Sequence, residues 1–176
     1  MGKAFDVIVM GARCAGSPTA MLLARRGYRV LAVDRASFPS DTVSTHLVHP
    51  RAVNALSRWG LLDRLVASGC PPIHTYAFDF GPFTIAGAPG TDKDPVAYCP
   101  RRTILDKLLV DAAAESGAEI RQGFVVEEIM IEGARVVGCA VCRHPDIFPF
   151  TSGAGYMPEA IFRASTIPAA RADSKS

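Results

Sequence analysis

Asp6-Val7-Ile8-Val9-Met10-Gly11-Ala12-Arg13-Cys14-Ala15-Gly16 is the stretch whose reading decides the fold. Its first five residues are apolar and β-branched after the leading aspartate, the composition of a short buried strand. The run stops on a glycine-bounded turn. A helical pattern then continues through Ala20, Leu22, Leu23 and Ala24 and closes at Gly27. Tyr28-Arg29-Val30-Leu31-Ala32-Val33 is a second apolar strand, ending on Asp34-Arg35. A strand, tight turn, helix and strand in this order suit dinucleotide binding. The turn aims a helix N-terminus, with its unsatisfied N–H groups and positive dipole end, at a pyrophosphate. An acidic residue about twenty positions on accepts hydrogen bonds from ribose hydroxyls, and Asp34 has that spacing.

The fingerprint departs from its ideal at Arg13, where a bare glycine would let backbone approach phosphate closely. An arginine there either points outward or adds charge near the phosphates. Pro18 falls early in the helix, where the loss of one N–H is tolerated. The alternative to nucleotide binding is a plain βαβ packing unit with a glycine turn.

The chain has 176 residues, 49% of them apolar and 20% charged, a globular composition with length enough for a real core. Net charge is +2, and basic residues cluster only in pairs such as Arg25-Arg26 and Arg101-Arg102. That argues against a nucleic-acid partner, which leaves a basic patch or stripe. No apolar run has the length of a membrane span, and the N-terminus lacks a signal-peptide pattern, so a cytoplasmic protein is expected. The five cysteines, at 14, 70, 99, 139 and 142, are an odd, scattered set that suggests free thiols. Cys139-x-x-Cys142 near His144 lacks a matching second pair, and no metal site is assigned.

Further along, Ala36 to His49 reads as a polar loop, and Pro50 suits the first turn of a helix carrying Val53, Leu56, Trp59, Leu61, Leu62 and Leu65, with a break at Gly60. His74, Tyr76, Phe78 and Phe80 alternate with smaller or polar residues, predicting a half-buried strand, with Phe83 to Ala86 as its hairpin partner or a short following strand. Its aromatic face is sheet core or the lining of a substrate cavity. Val96 to Cys99 is another short strand. A helix follows from about Thr103 to Gly117, with Thr103-x-x-Asp106 as a capping pair. Ala118–Arg121 and Phe124–Ile129 read as strands, and the latter turns at Glu132-Gly133 into Arg135–Val141 as a hairpin. From about Arg143 the pattern is lost, apart from a possible short helix near Pro158 to Ala164. The expected division is residues 1–142 as one domain, with the strands of about 73–99 inserted, and 143–176 as an irregular or disordered tail.

The long excursion between the second strand and the return at Thr103 suits a flavoprotein, in which an extended FAD runs through the domain. On Asp6 to Gly16, Asp34-Arg35, Arg102-x-x-Leu105-Asp106-x-x-Leu109 and the hairpin around Val126 and Val136-Val137-Gly138, residues 5 to 141 resemble the N-terminal part of FAD-dependent oxidoreductases of the para-hydroxybenzoate hydroxylase-like and geranylgeranyl reductase-like type. The resemblance implies an α/β fold: a Rossmann-like FAD-binding βαβ unit with an inserted antiparallel strand region, incomplete relative to the full family fold. It implies that Gly11, Ala12, Cys14, Ala15 and Gly16 hold the pyrophosphate and that Asp34 takes the adenosine ribose with Arg35 beside the adenine. It further implies that Arg102 reaches the phosphates, that Val126 meets adenine through its backbone, and that Ser44 and Thr45, with His46, lie near the flavin.

Family members run longer and carry a later Gly-x-Asp-Gly segment and a later Gly-Asp segment. Neither Gly-x-Asp-Gly nor any Gly-Asp dipeptide occurs here, and the expectation is a truncated or frameshifted product after about residue 142. The implied function is flavin-dependent monooxygenase or reductase chemistry on a small organic substrate, with FAD and NAD(P)H as candidate electron donor. The alternative is a non-catalytic or inactive adenine-nucleotide-binding fragment. No catalytic residue is assigned. His46, His74 and Tyr76 are candidates for the substrate side only, and oligomeric state is left open.

Overall fold

In the computed structural model, residues 4–91, 96–143 and 160–164 are described. The chain divides into two units, residues 1–38 with 109–176, and residues 39–108.

The first unit is built on the opening stretch. β1 (Ala4–Phe5) and β2 (Val7–Met10) are separated by Asp6. The carboxylate of Asp6 accepts the backbone N–H of Arg29 at 2.8 Å and the Arg29 guanidinium at 2.8 and 3.2 Å. This clamps the junction between β1 and β2 to the approach of β3 (Val30–Asp34). The pairing holds the Arg29 guanidinium above its ordinary pKa, the Asp6 hydrogen bond being the larger cause.

β2 and β3 pair in parallel, Val7 with Val30 through Met10 with Val33. β3 also pairs in parallel with β8 (Glu119–Gln122), giving the order β2-β3-β8. Every residue of β3 is buried, as expected of a parallel strand covered on both faces. α1 (Gly16–Arg25) packs on β2 and β3, burying Ala20 and Met21. Leu31 and Val33 join Phe5, Cys139 and Val141 in one apolar cluster, flanked by Ile8, Phe124 and Val126. The cysteine and Val141 come from β10 (Arg135–Arg143), which forms an antiparallel hairpin with β9 (Phe124–Glu132). The hairpin register shifts between Ala140 and Val141, leaving Glu127 without an opposite residue.

β11 (Ala160–Ala164) pairs antiparallel with β10 and parallel with β1. The short helix expected near Pro158 to Ala164 is therefore corrected to a strand. The edge of β10 offers a ladder of N–H and C=O groups, and Ala-Ile-Phe-Arg-Ala satisfies it with no need of its own periodicity. The expectations for 144–159 and 165–176, and for His144, lie outside the described residues.

The second unit holds α2 (Pro50–Trp59), α3 (Leu62–Ala67), β4 (Pro72–Ile73), β5 (Tyr76–Asp79), β6 (Thr84–Gly87) and β7 (Ala97–Tyr98). Pro50 occupies the first turn of α2, and the helix stops at Gly60 in the left-handed conformation. Val53, Leu56, Leu61 and Leu65 are buried. β4 pairs with β7, and Val48 bridges Tyr98. α4 (Arg102–Glu115) begins in this unit and ends in the first. α4 starts at Arg102, so Thr103, expected to open the helix as a capping pair with Asp106, lies inside its first turn. Arg102 donates to Asp106 Oδ1 at 3.0 Å, and the carboxylate is fully buried.

β5 and β6 pair as a hairpin, Tyr76 with Gly87 through Asp79 with Thr84. The half-buried character is not observed. Phe78, Phe80, Phe83 and Ile85 are each more than half exposed, and Phe80 stacks on Phe83 at 5.1 Å between centroids. Alternation fixes which side chains share a face; what covers that face depends on other elements.

The thiols divide by burial. Cys14 and Cys99 are exposed, whereas Cys139 is buried and its pKa is pushed up by loss of solvent. A raised pKa leaves less thiolate at any given pH. Iodoacetamide at pH 8 is therefore expected to label Cys14 and Cys99 in the native chain and Cys139 only after unfolding, as read by peptide mass spectrometry. Equal native labelling of Cys139 would contradict this packing.

Candidate nucleotide-binding site

The site begins at the carboxylate of Asp34, which ends β3 and is 7% exposed. One oxygen accepts the N–H of Ala12 at 2.7 Å and the other the N–H of Ala36 at 2.8 Å. Ala12 lies 22 residues earlier, in the turn after β2. The carboxylate thus fixes the glycine turn and the exit from β3 to each other. Each oxygen keeps lone-pair capacity for a further donor such as a ribose hydroxyl.

The two glycines of the turn have different duties. Gly11 has φ +94°, and a Cβ placed there would meet open space. The backbone at this point is bare toward the pocket. A Cβ on Gly16 would lie 1.6 Å from the carbonyl oxygen of Gly11 and 3.1 Å from Cγ1 of Val9. Gly16 therefore lets α1 start directly against β2. The Ser17 hydroxyl donates to the Ala12 carbonyl at 2.6 Å and closes the turn from below. α1 follows Ala15, which supplies no side-chain cap, and has no acidic residue in its first turn. Its dipole is left for an anion from outside the helix.

An open pocket of about 330 Å³ lies beside this turn, lined by Met10, Gly11, Arg13, Val33, Asp34, Arg35 and Phe124 to Val126. The size is that of a small-molecule site. The unpaired Glu127 lies next to its Val125-Val126 wall. Such bulges re-aim the strand beside a site.

The structure brings Gly11, Asp34, Arg35 and Val126 to one pocket, with Ala12 behind it and Cys14, Ala15 and Gly16 continuing the turn into α1. Ser44, Thr45 and Arg102 belong to the second unit. There the Ser44 hydroxyl accepts the N–H of His46 at 3.1 Å, and the Thr45 carbonyl accepts the Cys99 thiol at 3.7 Å. His46 has φ 58° and a buried Nδ1 with no hydrogen-bond partner, costs that a chain tends to carry at functional loops. The Tyr76 hydroxyl lies 3.2 Å from Nδ1 of His49. No group of three metal-ligating side chains occurs among the described residues, and none of their helices is long and apolar enough to cross a membrane. Sequence reasoning missed Phe124 and Val125, whose alternation gives no sign of the bulge, and left open whether Arg13 points outward or adds charge near the phosphates.

A glycine turn at a helix N-terminus, a bare backbone face and a buried acidic residue at the second strand end define an adenine-dinucleotide-binding α/β domain. The chain belongs to the FAD binding domain family, whose match runs over residues 4–143. It is 32% identical over 138 residues to 6-methylpretetramide 4-monooxygenase of Streptomyces rimosus, covering 78% of this chain and 24% of that protein. It is 31% identical over 155 residues to menaquinone reductase of Mycolicibacterium smegmatis, covering 80% and 37%. Among solved structures it is similar to the myxobacterial chondrochloren halogenase CndH, a FAD-dependent halogenase. The TM-score is 0.75 at 26% identity, over 81% of this chain and 34% of that one. The chain thus spans between a quarter and two fifths of these proteins. The expected fold class and cofactor are both found.

The contact at Gly16 gives a direct check. Gly16→Ala forces a methyl group onto backbone rather than onto a yielding side chain, and is expected to destabilise the chain by about 3 kcal/mol or more. Chemical denaturation followed by circular dichroism measures it, and a variant as stable as the parent would show that α1 does not start against β2 as described.

Proposed function

We propose that this chain is the FAD-binding part of a cytoplasmic flavin-dependent oxidoreductase, of monooxygenase or reductase type, acting on a small organic substrate with NAD(P)H as electron donor. The observation that carries the reading is the Asp34 carboxylate held by Ala12 and Ala36 at the wall of the pocket. This presents a buried, oriented acceptor where the adenosine ribose would lie, a turn away from a helix N-terminus open to a pyrophosphate.

The residues fit the cofactor. Gly11 leaves the backbone bare, and Ala12, Cys14, Ala15 and Gly16 place the turn and the first N–H groups of α1 against the diphosphate. Asp34 takes the ribose hydroxyls, Arg35 lies along the adenine, and the backbone of Val126 beside the bulge reads the adenine edge. Arg102, which pairs with Asp106 along its own helix, is assigned to the phosphates. Ser44 and Thr45, next to the strained His46, line the flavin end. FAD, when bound, supplies the redox chemistry, and the protein supplies position and electrostatics. The relatives named as a monooxygenase and a reductase support both reaction types, and no side chain here chooses between them. The alternative is an adenine-nucleotide-binding chain without turnover, resting on the same pocket.

The test is the visible spectrum of the purified chain after incubation with FAD and removal of unbound ligand. A retained flavin band is expected, together with protection of Cys14 from alkylation. Asp34→Ala is expected to weaken retention about tenfold or more, since hydrogen bonds to a charged acceptor are lost. A folded chain that retains no flavin, or an Asp34→Ala variant that retains it fully, overturns the reading.

A further inference from the structure

Arg13 stands where the dinucleotide fingerprint has a bare glycine, yet the turn around it is intact: Gly11, Ala12 and Gly16 keep their places. Arg13 is one of the residues lining the pocket, and its guanidinium carbon lies 5.3 Å from the centroid of the Phe38 ring. A guanidinium over an aromatic face is held by the ring quadrupole.

Phe38 is itself anchored. Its N–H donates to the side-chain oxygen of Gln122 at 2.7 Å, and the N–H of Gly123 donates to the carbonyl of Ala36 at 3.3 Å. The segment after Asp34 is thus laced to the end of β8, so the ring that meets Arg13 belongs to the same rigid frame as the pocket.

The charge of the lining follows. Among the described residues the lining holds two guanidinium groups, of Arg13 and Arg35, and one carboxylate, Asp34, whose two oxygens already accept backbone N–H groups. A glycine at 13 would leave these side chains neutral in sum. With arginine the described lining side chains sum to one positive charge, beside a helix N-terminus that Ala15 leaves without a side-chain cap. In a partly desolvated pocket that difference favours an anionic ligand over a neutral one of the same shape.

We propose that Arg13 is an anion-recognition residue of this pocket, selecting nucleotides that carry a diphosphate over the bare nucleoside, and that Phe38 and Gln122 are positioning residues acting through it. The proposal rests on the nucleotide-binding reading of the same site and extends it. Arg13 replaces an approach of bare backbone to the diphosphate by a cation held at a fixed place on the pocket wall.

The experiment compares binding of ADP and of adenosine by calorimetry, on the full chain and on Arg13→Gln, Arg13→Gly, Phe38→Leu and the double variant Arg13→Gln/Phe38→Leu. Circular dichroism verifies the fold of each; Arg13→Gly keeps a backbone that tolerates any turn geometry. Loss of the cation is expected to weaken ADP about tenfold while changing adenosine less than about twofold. It is also expected to flatten the salt dependence of ADP binding. Phe38→Leu is expected to weaken ADP by a smaller factor, and to add nothing once Arg13 is gone. ADP binding unchanged in both Arg13 variants, or ADP and adenosine weakened equally, overturns the proposal while leaving the nucleotide site standing. Failure of the parent chain to bind ADP at all overturns both.

Discussion

The hydrogen bond from the Ala12 N–H to the Asp34 carboxylate is the constraint on which the site depends. It joins residues 22 apart in sequence at 2.7 Å, with the acceptor almost fully buried. A buried carboxylate is costly unless its oxygens are occupied, and here both are, by Ala12 and Ala36. One group thereby fixes the turn after β2, the end of β3 and the start of the loop that follows. A charge-assisted bond of this kind contributes about 1.5–3 kcal/mol, a large part of the margin of a small domain. The same arrangement that relieves the burial cost leaves the carboxylate aimed at the pocket.

Packing supports that bond from both sides. β3 is buried throughout, with α1 on β2 and β3 and the Phe5–Cys139–Val141 cluster around Leu31 and Val33. The approach of α1 to β2 is set by Gly16, where even a methyl group would meet the Gly11 carbonyl. Core, turn and pocket share residues: Val33 belongs to the cluster and to the pocket lining, and Phe124 and Val126 pack on the cluster and line the pocket. Because the interior is close-packed, a change at any of these positions is transmitted to the pocket wall.

The second unit has a different balance. Its helices bury a compact set of leucines and valines, while the β5–β6 hairpin leaves four large apolar side chains exposed. A two-stranded hairpin is marginal on its own, and this one carries its apolar residues outside the core. The Arg102–Asp106 pair is the reverse case, a charge buried with its partner one turn along the same helix. His46 combines a left-handed backbone with an unpartnered buried nitrogen. These features mark where the unit carries cost without an evident return in packing.

The sequence by itself determined the βαβ frame, because periodicity of apolar residues, glycine placement and the spacing to Asp34 are local or nearly local signals. It also determined the hairpins, whose turns and alternation are written in adjacent residues. The tertiary structure alone decided what covers each face. The aromatic alternation of β5 is the same whether that face is buried or exposed, and Ala160–Ala164 becomes a strand because β1 and β10 offer it partners. It also decided the meaning of Arg13. In the sequence this residue is a departure from a motif, with its side chain free to point either way. Its place on the pocket wall comes from Phe38, 25 residues later, held by Gln122 from a third strand. Contacts between residues so far apart depend on how strands are brought together in space, and no local pattern encodes them.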